Sequence, residues 1–276
     1  MNNLYTYYVN GKWELSNKAQ IPFNDLGFLY GDGLFETMRF DNKKIFSFEK
    51  HFTRLQQGLK NINLIIPFKK NQLYEILNKS ISMNLLNSGI LRLMVTRGTQ
   101  NNKLNNLSPN VYVSIKPFYS IPIKPVKIIF YNENNFPLIR YNPAIKSMNY
   151  LGNMLAKKQC DKDGGFEPAF YNNNNIITEC AIRNIFFIKD GGLFTPSLDL
   201  GILSGVMRET ILLISKSLSL KCDESHINFS EINNFDEAFI TSTGIGLLPC
   251  YWDGFKSKYD LTKVIKKELF NRINNN

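Results

Sequence analysis

Apolar and polar positions alternate at the start of the chain: Tyr7-Tyr8-Val9, a turn at Asn10-Gly11, then Lys12-Trp13-Glu14, a pattern that predicts a short hairpin. Gly27, Gly31 and Gly33 punctuate the next stretch, ahead of a predicted strand over residues 34–40. Asp41-Asn42 supplies turn chemistry before a short returning strand at Ile45-Phe46. The period then changes. Phe52, Leu55, Leu59 and Ile62 recur at helical spacing within residues 48–62, and a second helix is predicted over 72–83. Strands are predicted over 90–96 and 111–115. Pro117 to Pro125, with Ile121-Pro122-Ile123 inside it, breaks both periods and marks a linker. Beyond it the pattern predicts strands over 126–131, 167–171, 176–178, 184–189 and 237–241. Helices are predicted over 149–159, 206–218 and 261–273. Asn172 to Asn175 reads as a polar hairpin turn, and no internal repeat is visible. The division that follows is an N-terminal α/β domain over 1–117, a linker over 118–125 and a C-terminal domain over 126–276.

The 276 residues, 43% hydrophobic and 20% charged, are enough for two modest cores of an ordinary soluble protein. No apolar run approaches the roughly 18–20 residues of a membrane span. Met1-Asn2-Asn3-Leu4-Tyr5 lacks the basic start and apolar stretch of a signal peptide, so a cytoplasmic protein is expected. Cys160, Cys180, Cys222 and Cys250 form no CxxC pair and are expected to be reduced. The two histidines, His51 and His226, are too far apart for a short-range ligand pair, which argues against a zinc site or a Ser-His-Asp hydrolase. The net charge of +10 is spread along the chain, as in Lys43-Lys44, Lys69-Lys70 and Lys266-Lys267. There is no basic stripe interleaved with aromatics, so neither a nucleic acid nor a membrane is the expected partner. The positive balance would instead attract small anionic substrates.

Lys146 stands out against that background. It is the one charge in Pro143-Ala144-Ile145-Lys146-Ser147-Met148-Asn149-Tyr150-Leu151, just ahead of a predicted helix. Such a lysine can be desolvated, which frees its amine to act as nucleophile and proton carrier. Downstream come Glu179 and a turn at Ser204-Gly205 that opens a helix. A lysine, a carboxylate and an anion-binding helix start are the parts needed to hold pyridoxal phosphate. Taken singly, each has a plain alternative: a surface lysine, a strand-end glutamate, a polar turn.

Four segments in order strengthen the case. Asp25-Leu26-Gly27-Phe28-Leu29-Tyr30-Gly31-Asp32-Gly33-Leu34-Phe35-Glu36-Thr37 resembles the N-terminal signature of class IV (fold-type IV) pyridoxal-phosphate enzymes. His51-Phe52-Thr53-Arg54-Leu55 resembles their helical phosphate-binding motif. Lys146-Ser147-Met148-Asn149-Tyr150-Leu151 is similar to their Schiff-base lysine segment. Ile177-Thr178-Glu179, Asn184-Ile185-Phe186, Thr195-Pro196 and Gly201 through Glu209 resemble their long C-terminal signature. The resemblance implies an α/β (α+β) protein of two domains with the cofactor between them, the larger C-terminal domain carrying a mainly antiparallel, barrel-like sheet. It also implies a homodimer, with cross-subunit contributions near Tyr30 and over residues 100–105. By resemblance Lys146 is the catalytic residue and covalent anchor. Glu179 faces the pyridine nitrogen, where a charge-assisted hydrogen bond is worth roughly 1.5–3 kcal/mol. Arg54 binds the phosphate, with His51 either orienting it or only packing. The N–H groups of Val206 and Met207 add to this, with Ser204 as N-cap before Gly205, as do the hydroxyls of Ser242 and Thr243. Met207 stands where many relatives have a threonine, which shifts weight to those other groups. Tyr30, Phe35 and Thr37 resemble pocket-lining positions, and Tyr150 is placed near the cofactor edge.

The choice of reaction rests on fewer residues. The Lys146 segment with Leu155-Ala156-Lys157 is particularly similar to the D-amino acid transaminases. Their carboxylate-binding Arg-x-His is absent, because Thr96-Arg97-Gly98 is followed by Thr99-Gln100-Asn101-Asn102. Arg183, four residues past Glu179, is either part of the missing substrate clamp or a surface ion-pair partner, and Arg92 and Arg97 are further clamp candidates. The leading expectation is an aminotransferase working between an α-amino acid, of branched-chain or D-amino acid type, and a 2-oxo acid. The alternative is an aminodeoxychorismate lyase, to which Gly205-Val206-Met207-Arg208 is similar, with Thr37 as a proton donor. A non-catalytic survivor of the fold is a third possibility that an intact Lys146 and Glu179 argue against.

Overall fold

The computed structural model describes residues 4–99 and 108–274. The chain forms two compact units: residues up to Tyr119 together with Ile145–Asn149, and Ser120–Ala144 together with residues from Tyr150 onward.

The first unit is built on one antiparallel sheet. Its strands are β1 (Thr6–Val9), β2 (Lys12–Leu15), β3 (Gly33–Asp41), β4 (Lys44–Ile45), β5 (Gly89–Thr96) and β6 (Asn110–Lys116), in the order β2-β1-β6-β5-β3-β4. The short helix α1 (Leu26–Tyr30) precedes β3. It starts at Asp25, a fully buried carboxylate that accepts from the Gly27 and Phe28 N–H groups, Thr96 Oγ1, Asn110 Nδ2 and the Tyr112 hydroxyl. That set of bonds ties the loop ahead of β3 to β5 and β6. Helices α2 (Phe48–Asn61) and α3 (Lys70–Met83) lay Leu55, Leu59, Leu73, Leu77 and Ile81 on the sheet against Leu34, Met38, Leu91 and Val113. The period-two burial of β3 and the helical spacing of α2 are the patterns expected of that packing.

Ile145–Asn149 joins this unit by pairing along β3. Phe35 N–H donates to Lys146 O (3.0 Å), Met148 N–H donates to Gly33 O (3.0 Å), and Leu34 bridges Ser147. The sequence pattern assigned this segment to a C-terminal domain; its hydrogen bonds group it with the first unit. The helix predicted from residue 149 begins at Leu151, with Tyr150 at its N-cap.

The second unit carries an eight-stranded mixed sheet. Its strands are β7 (Val126–Asn132), β8 (Glu167–Tyr171), β9 (Ile177–Cys180), β10 (Asn184–Lys189), β11 (Gly192–Pro196), β12 (Cys222–Ser225), β13 (Glu237–Ser242) and β14 (Gly246–Tyr251). They lie in the order β12-β11-β10-β13-β14-β7-β8-β9, parallel at β11/β12, β14/β7 and β7/β8 and antiparallel elsewhere. Helices α4 (Leu151–Lys162), α5 (Val206–Ser217) and α6 (Asp260–Asn274) complete it. Its core gathers Ile128, Ile185, Phe187, Ile240, Leu248 and Trp252. The sequence pattern leaves out β11, β12 and β14. The first is a short return after Asp190-Gly191, the second is polar Cys-Asp-Glu-Ser at a sheet edge, and the third contains Pro249, which lacks an N–H for the ladder. Among the described residues no helix is long and apolar enough to cross a membrane.

Candidate active site

In the first unit β3 separates two sets of side chains by its alternation. Phe35 and Thr37 share one face with Met94 and Arg92, their cross-strand partners on β5. The Phe35 ring carries two cations: the Arg92 guanidinium at 4.1 Å from its centroid and Lys146 Nζ at 4.5 Å. Lys146 is half-buried, and its backbone is clamped at Phe35 and Met148, so the amine is presented from a fixed main chain onto an aromatic surface. Of the expected residues, Lys146, Phe35, Thr37 and Arg92 are therefore brought onto one face of one sheet.

Glu36 faces the other way, toward α2, and is fully buried. Arg54 donates to it through Nε (2.8 Å) and Nη2 (2.6 Å), and His51 Nδ1 lies 2.7 Å from the same carboxylate. Burial alone would push the Glu36 carboxyl up; Arg54 and His51 outweigh it and hold it at about 2. Burial pulls the His51 imidazole below its usual range. The neutral ring must then keep its hydrogen on Nδ1, facing Glu36. Nε2 is left as a buried acceptor with no partner among the described residues. The expected phosphate-binding arginine is thus oriented by a carboxylate that motif reading passed over. A signal was present: Glu36 is a charge between Leu34 and Met38 on the apolar face of a predicted strand.

Arg97 donates to Asp32 Oδ2 (2.6 Å) and to Ile62 O (2.8 Å), so it braces the loop before β3. Tyr30 is 71% exposed, beside exposed Phe23, Phe28 and Leu29. It ends α1 at Gly31, whose positive φ of 68° favours glycine. The expected cross-subunit tract at 100–105 lies outside the described residues.

In the second unit Glu179 lies on β9, and its carboxylate is paired with Arg140 Nη1 while accepting from the Leu203 N–H (3.3 Å). Arg140 went unremarked at the level of motifs. The turn that follows is pinned by Asn184, whose Nδ2 donates to Leu203 O (2.9 Å) and whose Oδ1 would lie 2.0 Å from a Cβ at Gly205. The N-cap of α5 is Gly205 and not the expected Ser204, whose hydroxyl donates to Glu209 Oε1 (3.0 Å). No side chain caps α5, so its first N–H groups, at Val206 and Met207, are not closed off from an anion by a cap. At the end of β13 the Thr241 hydroxyl is buried and has no partner among the described residues. Ser242 ends the strand and Thr243 opens the turn before β14.

Arg183, one of the expected clamp candidates, is engaged in a buried ion pair. It is 8% exposed, donates through Nη1 to fully buried Glu167, and stacks at 4.9 Å on Phe166. Glu167 also accepts from the Ile182 N–H (2.9 Å), so the pair braces the β9–β10 bend. Burial raises the Glu167 carboxyl, and Arg183 only partly offsets it.

The first unit by itself offers a primary amine on an aromatic face. The second by itself offers a carboxylate held by a guanidinium and an uncapped helix start behind a glycine. These are the donor types that a phosphorylated, aldehyde-bearing ring would need. A family profile described as class IV amino-transferase matches residues 33–251. D-alanine aminotransferase of Listeria monocytogenes is 32% identical over 251 residues, covering 87% of this chain and 85% of the relative. The branched-chain amino acid aminotransferase of Escherichia coli superposes with a TM-score of 0.88 at 22% identity, covering 98% of this chain and 94% of that one. A Legionella pneumophila protein described as a 4-amino-4-deoxychorismate lyase superposes at 0.83 with 24% identity, covering 93% and 97%. The two superpositions speak to fold alone.

Proposed function

Since the chain belongs to the class IV aminotransferase family, whose members depend on pyridoxal phosphate, we propose that it transfers an amino group between an α-amino acid, of D-amino acid or branched-chain type, and a 2-oxo acid. The observation that carries this reading is Lys146, clamped along β3 with its amine on Phe35. Pyridoxal phosphate supplies an aldehyde for covalent attachment and a ring that takes up the electrons of a broken Cα–H bond. Lys146 would hold the cofactor's aldehyde carbon through Nζ; displaced from it by the substrate's amine, the freed Nζ would take the α-proton and give it back. Glu179 keeps a proton on the ring nitrogen. Arg54, in the orientation set by Glu36, binds phosphate with the N–H groups of Val206 and Met207, the Ser204-Gly205 turn and the hydroxyls of Ser242 and Thr243. Arg92, on the Phe35 face, binds a substrate carboxylate, with Thr37 and Tyr30 lining the approach. A homodimer in the cytoplasm belongs to the same reading, supported by the exposed apolar run of Phe23, Phe28, Leu29 and Tyr30.

Elimination of pyruvate from aminodeoxychorismate is the second reading. It is favoured by Thr37, a hydroxyl two residues from Phe35 on the same face as Arg92. Separate incubations of the purified protein decide between them. D-alanine or L-leucine with a 2-oxo acid should give the exchanged pair; pyruvate and p-aminobenzoate from aminodeoxychorismate without any amino acceptor would sink the transaminase reading. Lys146→Ala should abolish both turnover and the borohydride-reducible linkage to the cofactor. A reducible linkage that survives the substitution overturns the assignment of Lys146.

A further inference from the structure

Arg140 lies in the loop between β7 and Lys146, six residues before it, with its side chain 25% exposed. One edge of its guanidinium is fixed. Nε (3.1 Å) and Nη2 both donate to Glu133 Oε1, Nη2 reaches Thr178 Oγ1 (3.2 Å), and the Thr178 hydroxyl itself donates to Glu133 Oε1 (2.6 Å). A planar fork held along one edge can aim its remaining nitrogen in only one direction. That nitrogen, Nη1, meets Glu179 Oε1, while the Leu203 N–H holds Glu179 Oε2 at 3.3 Å. Both oxygens of Glu179 are thereby directed.

We infer that Arg140 is a positioning residue for the reaction, orienting Glu179 and holding it as a carboxylate toward the cofactor's ring nitrogen. The inference rests on the proposed role of Glu179. Electrostatics at Arg140 support it as well. A guanidinium stays charged at any working pH, so it favours the ionised form of the carboxyl it pairs with. Burial would pull Arg140 down, but Glu179 and Glu133 outweigh it and push it up.

The test uses the full-length holoenzyme and the variants Arg140→Gln, Arg140→Lys, Glu179→Gln and Arg140→Gln/Glu179→Gln. Arg140→Gln should lower kcat about 10- to 100-fold, the scale of one lost charge-assisted contact, with KM little changed. It should shift the visible absorption band of the bound cofactor in the direction that Glu179→Gln does, and weaken pyridoxal phosphate binding to the apoprotein. Arg140→Lys should recover part of each effect. The double variant should be no slower than Glu179→Gln alone. A folded Arg140→Gln protein with the wild-type band and kcat, beside a Glu179→Gln protein that has lost both, overturns the inference and leaves the role of Glu179 standing. If Glu179→Gln itself keeps band and kcat, both fall. Should Arg140→Gln not fold, Arg140→Lys carries the test: a partial shift supports the inference and a wild-type band with wild-type kcat overturns it.

Discussion

At Gly205 a hydrogen atom stands where any other residue would place a carbon 2.0 Å from Asn184 Oδ1. The contact is to the amide that fixes Leu203, and Leu203 N–H in turn holds Glu179. Gly205→Ala should therefore move the turn, costing about 1–3 kcal/mol of stability and weakening cofactor binding more than substrate binding. Chemical denaturation and a pyridoxal phosphate titration of the apoprotein check both. Residue types in order single out Lys146, Glu179 and Gly205 as candidates, because each sits in a recognisable stretch. Arg140 and Arg183 show where such reading stops. Arg183 is the neighbour of Glu179 in sequence yet pairs with Glu167, whereas Arg140, 39 residues away from Glu179, is the one that meets it. Only through-space distance separates the two.

Between β3 and α2 the decisive unit is Glu36 with Arg54 and His51. The folded Glu36 carboxyl lies at about 2, below its ordinary value of 4.5. The stability it contributes is present above about 4.5 and is lost as pH falls through about 2. His51 is also depressed by burial, so the unfolded chain takes up its proton first as pH drops below 6.5. Both signs agree. Urea denaturation midpoints should fall from pH 7 toward acid, and Glu36→Gln should flatten the lower limb. That variant leaves Arg54 partly buried opposite a neutral amide, at a cost of about 3–5 kcal/mol, and should weaken phosphate binding by releasing the guanidinium. The elements themselves were legible from period: α2 and β3 occupy nearly the residues that apolar spacing predicts. Their mutual face was not, since period says which side is apolar and not which charge it encloses.

Across the whole molecule, the reading of a homodimer predicts a solution mass of twice 31.9 kDa by light scattering. Phe28→Glu, at an exposed apolar position, should shift it toward the single-chain mass. A wild-type protein of single-chain mass would end that reading. The sequence by itself determined the alternation of elements, the order of the motifs, the lysine and the carboxylate, because these depend on local period and residue chemistry. Tertiary structure decided that Lys146 belongs with β3, since Phe35 and Met148 exchange backbone hydrogen bonds along that strand with residues far from them in sequence. It decided likewise which arginine serves Glu179. Hydrogen bonds and ion pairs depend on distances of about 3 Å, and residues separated by tens of positions acquire such distances only when the sheets have formed.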